Sequence, residues 1–463
     1  MNHSKLHSNT IFTQIGKRYM LLLIISLCVL LTACGQTKTS EPSQDSNVET
    51  SDNASPSPEA NGNPNNGEQN GADSDTSEDT QKESDQTTPP QEQDDQDPVK
   101  EQLSQLSLEE KIGQMILAGV QGTKLDDQGK KMISEQKVGG IIFYANNVTT
   151  IDATAQFIQS IKEANRSNPV PIFLSVDQEG GKVSRMPDSV ESIPSNRTVG
   201  DTNQAKLAET MGQLLARQVK LVGFNLDFAP VLDVNSNPKN PVIGDRSFGS
   251  SANLVAKMGV AEMKGLRSEG VIPVVKHFPG HGDTSVDSHL DLPVVNKTLK
   301  QLAELEWIPF QAAVKEQAEA VMVAHILFPK LDPDHPASLS DVIIGEHLRG
   351  KFGYDGVVIT DDLSMGAIAK NYKLNEAAIT TVQAGSDILL VAHSYESAKT
   401  IFDTLLNAVR NGKISESRID ESVYRILSLK QHYKLSDEQQ ASGNLKQLNA
   451  DIKAWRNQVN LQK

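Results

Sequence analysis

The densest run of reactive side chains is Lys276-His277-Phe278-Pro279-Gly280-His281-Gly282-Asp283-Thr284-Ser285-Val286-Asp287-Ser288-His289. Its histidines and aspartates, with Asp291 just beyond, give the stretch proton-transfer capacity. Asp287 and His289 are two residues apart, so in extended chain they face the same way. A carboxylate hydrogen-bonded to an imidazole fixes its tautomer and favours the imidazolium form. Elsewhere Asp177-Gln178-Glu179 and Asp361-Asp362 each close an apolar run. Carboxylates and imidazoles set at the ends of apolar runs suit acid–base and nucleophilic chemistry.

The elements that must position these groups are eight apolar runs suited to buried strands: Gln114–Ala118, Val138–Tyr144, Ile172–Val176, Asn225–Pro230, Val271–Lys276, Ala320–His325, Gly356–Thr360 and Ile388–Ala392. Helical stretches of 3.6-residue period alternate with them, most clearly Ala153–Asn165, Ala205–Val222, Leu254–Glu269, Leu299–Gln317, Leu374–Ala384 and Ser397–Asn411. Continuous apolar strands alternating with helices imply a parallel sheet. Eight such units suit a single α/β domain with the (β/α)8 TIM barrel fold; a doubly wound open sheet is the alternative. In such barrels chemistry sits past the C-terminal strand ends. Those ends carry Asp177, Asp233, Lys276 with His277, His325, Asp361 with Asp362, and His393, and the strand starts carry no comparable set. The fifth loop reaches the next predicted helix only near Leu299. Such a length without structure of its own is usually functional.

Lys276-His277-Phe278-Pro279-Gly280-His281-Gly282-Asp283-Thr284 followed by Asp287-Ser288-His289 resembles the fingerprint of family 3 β-N-acetylglucosaminidases of the cell-wall recycling type. Val176-Asp177-Gln178-Glu179-Gly180-Gly181-Lys182-Val183-Ser184-Arg185, Gly244-Asp245-Arg246-Ser247-Phe248-Gly249 and Ile359-Thr360-Asp361-Asp362-Leu363-Ser364-Met365 resemble three more of its motifs, in order. The second motif has Lys182 where the family usually has Arg. The resemblance spans about residues 100 to 430. It implies a retaining glycosidase with Asp361 as nucleophile, His289 as acid/base and Asp287 as its dyad partner. It also implies that Asp177, Arg185, Arg246, Lys276 and His277 hold the sugar, and that no metal or cofactor is needed. Asp362, Asp233, His281, His325 and His393 are read as supporting residues, and Trp307 as core. Relatives of the β-glucosidase type take their acid/base from a second domain. Here the internal Asp-Ser-His favours the N-acetylglucosaminidase branch, and the chain ends too soon after the eighth unit for such a domain.

Upstream, Lys17 and Arg18 precede the apolar run Met20 to Leu31, which ends in Leu31-Thr32-Ala33-Cys34. This resembles a bacterial lipoprotein signal over residues 1–33, with Cys34 as the lipid attachment site and a place on the outer face of the cell membrane. A short uncleaved anchor and a soluble secreted form are the other readings. Residues 34–97 are predicted to be a disordered linker; 16 acids against 2 lysines lie between 35 and 97, so nearly all of the chain's −15 charge sits there. The remainder is close to neutral, which argues against a nucleic-acid partner. Besides Cys34 the sequence has only Cys28, within the signal, so the folded part has no disulfide or cysteine metal site. The barrel is assigned to 98–435 and a polar helical extension to 436–463.

The expected activity is removal of non-reducing β-linked GlcNAc from a GlcNAc-containing glycan, with muropeptides as the favoured class. A phosphorylase of the same branch is the nearest alternative. A metal-dependent barrel hydrolase would want a His-x-His near the first strand end, and residues 114–121 have none. A non-catalytic glycan-binding lipoprotein is the third.

Overall fold

The computed structural model describes residues 97–438 and 443–462. The signal, Cys34 and almost all of the acidic linker lie outside the described residues. Within them eight parallel strands form the predicted barrel: β1 (Ile116–Gly119), β2 (Gly140–Phe143), β3 (Phe173–Val176), β4 (Leu226–Asp227), β5 (Ile272–Phe278), β6 (Ala320–Val323), β7 (Val357–Thr360) and β8 (Leu389–Val391). The order is β8-β1-β2-β3-β4-β5-β6-β7. A parallel bridge between Ile359 and Ile388, with the Thr360 N–H donating to Ile388 O at 3.0 Å, closes the ring. Nearly every residue of these strands is buried, because one side faces the barrel interior and the other the helices. That is why the runs read as continuous rather than alternating.

Several predicted boundaries are corrected. Gln114 does not open the first strand. It ends helix Leu108–Gln114, whose start carries the capping box of Ser107 and Glu110. The fourth run pairs only at Leu226 and Asp227 before the chain turns through Ala229-Pro230; proline lacks a ladder donor. The fifth runs beyond Lys276 to Phe278, with a register shift between Val275 and Phe278. The sixth stops at Val323, short of His325. The single helix expected over Leu299–Gln317 is two helices, Leu299–Glu304 and Trp307–Lys315. Pro309 explains the break: its ring would collide with the carbonyl four residues back, at Leu305, where the first helix stops. Trp307 is buried against Phe278 and Phe352, as core.

At the N-terminal end of the strands Lys430 closes the base. Its ammonium donates to Gln114 Oε1 at 2.7 Å, Gly139 O at 2.9 Å and Pro171 O at 2.7 Å, and lies 4.3 Å from the Phe173 ring centroid. The helix carrying it, Glu416–His432, has no counterpart among the helices read from periodicity. The predicted polar extension does contain a helix, Leu445–Leu461, but it is amphipathic. Leu448, Ile452, Trp455 and Val459, spaced at helical period, are buried against helix Ala205–Val222.

Candidate active site

The C-terminal strand ends surround a cavity of about 200 Å³. Asp177, Arg185, Arg246, Lys276, His277, His289 and Asp361 all line it, so the fold gathers every residue to which the sequence gives sugar contact, together with the expected nucleophile and acid/base. Asp287 is not on the lining. It supports His289 from behind, its Oδ1 accepting from the His289 backbone N–H at 2.9 Å and lying 2.8 Å from the ring Nδ1. Burial tends to raise the Asp287 carboxyl, but the two hydrogen bonds from His289 outweigh it and hold the group below the usual carboxylate range.

One wall is an ion cluster. Arg246 grips Glu179 with two hydrogen bonds, Nε to Oε2 at 2.8 Å and an Nη to Oε1 at 2.7 Å. Lys276 lies 2.7 Å from the same Glu179 Oε1 and also pairs with Asp177. Glu179 and Lys276 are each 1% exposed. Burial opposes the Glu179 charge, yet Arg246 and Lys276 outweigh it and the carboxyl is pulled far down. Lys276 likewise stays charged, its burial outweighed by Asp177 and Glu179. Deeper, burial holds the carboxyls of Asp227 and Glu262 well above their usual range. Arg185, also on the lining, completes this wall; its buried Nε has no hydrogen-bond partner among the described residues.

Glu179 is the hub that sequence reasoning passes over in favour of Asp177; its place beside Asp177 in the same motif was the available signal. Replacing it by Gln leaves two buried cations short of an anion. Glu179→Gln is expected to lower unfolding free energy by about 3–5 kcal/mol, read by urea denaturation.

The fifth strand delivers its side chains through its irregular end. Asp233, fully buried, accepts from the backbone N–H of both His277 and His281 through Oδ1, at 3.3 and 2.6 Å, and its Oδ2 lies 2.7 Å from His277 Nδ1. His281 then bridges Thr284 Oγ1 at 2.8 Å and Ser288 Oγ at 3.1 Å, which shapes the loop that carries His289. The far side of that loop rests on the turn after β7, where Gly366 N–H donates to His289 O at 3.2 Å. A Cβ on Gly366 would stand 2.6 Å from Leu290 O, so this close approach requires glycine. His289 itself remains open to solvent, with 64% of its side chain exposed.

Burial, reinforced by His277, lowers the His281 pKa to about 4. The unfolded chain takes up this proton near pH 6.5, the folded one only near 4, so stability falls as pH is lowered through that window. The loss between pH 7 and 5 is expected to be about 2 kcal/mol from this residue, and His281→Asn is expected to lack it. Urea denaturation of both proteins at the two pH values measures the difference.

Asp361 stands at the β7 mouth. Its backbone N–H donates to Val323 O at 2.9 Å and its Oδ1 accepts from Asp362 N–H at 2.9 Å. Burial raises its pKa, but the nearby His325 and His277 outweigh this and the carboxyl lies below its usual range. An ionised carboxylate lining a small cavity has the chemistry that nucleophilic displacement needs. Asp362 also lines the cavity, but its Oδ1 accepts from Ser364 N–H at 2.9 Å and Ser364 Oγ at 2.6 Å, locking the turn, and its Oδ2 lies 3.4 Å from His393 Nε2. His325 is fully buried, bridging Ser338 Oγ at 2.6 Å and Asp362 O at 3.0 Å. Tyr144 was unanticipated. It lines the cavity with its ring against His393, centroids 5.1 Å apart. Among the described residues no group of three or more His, Cys, Asp or Glu is placed to hold a metal.

A closed parallel barrel whose mouth sets an ionised carboxylate and a carboxylate-backed imidazole around a polar, sugar-sized cavity defines a glycoside hydrolase. Residues 107–429 match the family described as glycosyl hydrolase family 3 N terminal domain, and the chain belongs to that family. Beta-hexosaminidase LpqI of Mycobacterium tuberculosis is 36% identical over 326 residues, 68% of this chain and 81% of that protein. Beta-hexosaminidase A of Pseudoalteromonas piscicida is 34% identical over 336 residues, 66% of this chain; the chain spans only 56% of that relative's length. A solved family 3 β-N-acetylglucosaminidase from Paenibacillus sp. str. FPU-7 superposes with a TM-score of 0.72 at 41% identity, covering 76% of this chain and 68% of that one. Within the family the chain is a glycoside hydrolase of the β-N-acetylhexosaminidase group.

Proposed function

We propose that the chain is a retaining, exo-acting β-N-acetylglucosaminidase that removes non-reducing β-linked GlcNAc from peptidoglycan fragments. The observation that carries this reading is the shared cavity: Asp361, His289 and the Asp177–Lys276–Glu179–Arg246 cluster face one space of about 200 Å³. In this mechanism the Asp361 carboxylate attacks the anomeric carbon. His289, hydrogen-bonded to Asp287, gives its proton to the departing oxygen. The neutral imidazole then takes a proton from the water that releases the sugar from Asp361. Asp177, Arg185 and the cations beside Glu179 hold the ring hydroxyls through directional hydrogen bonds. A small cavity walled by this cluster suits a chain end rather than a chain interior.

The test is turnover of para-nitrophenyl β-GlcNAc against the β-glucoside, followed by a GlcNAc–MurNAc disaccharide. Release of GlcNAc with β configuration supports the reading. Inverted product would overturn the Asp361 route, and sugar 1-phosphate formed in phosphate buffer would make the chain a phosphorylase.

The lipoprotein-like signal supports a location on the outer face of the membrane, with a tether through lipid on Cys34. Cys34→Ala is expected to move the activity from the membrane fraction to the medium, or to leave an unprocessed precursor in cells. Metabolic labelling with a fatty acid checks the same point; an unlabelled wild-type protein would sink it.

A further inference from the structure

Helix Leu445–Leu461 touches two things. One face, through Trp455 and its apolar neighbours, docks on helix Ala205–Val222. Trp455 Nε1 donates to Leu207 O at 3.1 Å, and Asp451 pairs with Arg217 at 2.7 Å. One edge instead grips the irregular segment 189–192. Asn449 Nδ2 donates to Ser189 O at 2.9 Å, and its Oδ1 accepts from Glu191 N–H at 2.9 Å. Arg456 donates to Ser192 O at 3.2 Å and pairs with Glu191 at 3.1 Å. Lys453 pairs with the other oxygen of Glu191 at 2.9 Å.

The inner side of this segment leads to the sugar-holding wall. Ile193 O accepts from Gly181 N–H at 2.8 Å. Gly181 has a φ of +54°, and a Cβ there would meet the Ser195 Cβ at 2.8 Å, so the two strips of chain lie as close as glycine permits. Gln218 Nε2 donates to Glu191 O at 2.7 Å, and its Oε1 accepts from Gln178 Nε2 at 2.8 Å. Gln178 Oε1 in turn accepts from the Arg185 N–H at 2.7 Å. Gln178 and Gln218 are each 1% exposed, so this relay is dry and its geometry is fixed by its ends. Segment 189–192 has neither helix nor strand to hold it. Its outer hydrogen bonds go to the C-terminal helix.

We infer that the C-terminal helix is a positioning device for the first sugar subsite: Asn449 and Arg456 hold segment 189–192, which sets Arg185 and Glu179 through Gly181 and the Gln218–Gln178 relay. The inference rests on the reading above that Arg185 and the Glu179 cluster hold the sugar. Asn449 and Arg456 lie outside the cavity, so they are positioning residues and act on affinity, not on the chemical step.

The experiment compares the Asn449→Ala/Arg456→Ala double variant with Asp451→Ala. The control loosens the same helix on the barrel without touching segment 189–192. On para-nitrophenyl β-GlcNAc the double variant is expected to raise KM about fivefold with kcat within about twofold, the scale of one or two lost hydrogen bonds to the loop. Asp451→Ala is expected to lower Tm to a similar degree and leave KM unchanged. Arg456→Lys, which keeps the ion pair with Glu191, is expected to recover part of the affinity in the Asn449-intact protein relative to Arg456→Ala. An unchanged KM in the double variant, or an equal rise in Asp451→Ala, would reduce the helix to a brace of the fold. If the wild type turns over no β-GlcNAc substrate, the functional reading fails. The positioning claim is then decided by calorimetric titration of GlcNAc into the same proteins, where a weaker Kd in the double variant alone supports it and equal or absent binding in all of them overturns it.

Discussion

Asp361→Ala is expected to give a folded protein whose kcat on para-nitrophenyl β-GlcNAc is lower by about four orders of magnitude or more. The size follows from what is removed. The leaving group, the sugar cluster and the donor loop all remain, but no other group is placed to act as nucleophile. Asp362, next in the chain, cannot substitute. It lines the cavity too, but its Oδ1 is occupied by Ser364 and by the Ala392 N–H at 3.3 Å and its Oδ2 faces His393 at 3.4 Å, which ties the carboxylate to the turn and to His393. The fold tolerates the change, since the Asp361 backbone bond to Val323 does not depend on its side chain. The side chain itself makes one local hydrogen bond, to Asp362 N–H, worth about 1 kcal/mol. Steady-state kinetics with circular dichroism of the same preparation checks both halves. A residual rate within tenfold of wild type would remove Asp361 from the role of nucleophile.

His289→Ala is expected to split substrates by leaving group. A disaccharide needs a proton on its departing oxygen, and general acid catalysis is worth about 10²- to 10⁴-fold, so kcat/KM on it falls by that factor. Para-nitrophenolate departs without much help, so its glycoside loses far less in the step that forms the glycosyl-enzyme. A burst of nitrophenol followed by slow release would mark the missing base in the second step. Asp287→Ala leaves the imidazole present but unheld, and its loss should be the smaller of the two. Because the His289 side chain is largely exposed and that of Asp287 partly so, thermal stability should move little in either variant. Equal losses on both substrates would point to a structural role for His289 instead.

The barrel was legible because β strands buried on both faces leave a plain trace: eight apolar runs at intervals filled by helical periods. The candidate site was legible because polar groups at strand ends have no packing reason to be there. Other features were hidden for physical reasons. Pro309 splits a helix at Leu305, four residues upstream, and a periodicity reading does not register a collision with a carbonyl. Glu179 is distinguished from Asp177 only by its burial between Arg246 and Lys276, which depends on where two distant motifs meet in space. The stripe Leu448, Ile452, Trp455 and Val459 is diluted by polar neighbours until the mean looks hydrophilic. The hairpin of Leu327–Phe328 with Asp332–Pro336, and the wide-turned π-helix Val342–Lys351, lie in a connection between β6 and β7 whose pattern announces neither.

Lys430, seated on three oxygens at the floor of the ring, has one more implication. The barrel interior between that end and the cavity is filled by buried side chains. Under the proposed function, a freed sugar therefore leaves by the mouth at the strand ends and competes there with the next substrate.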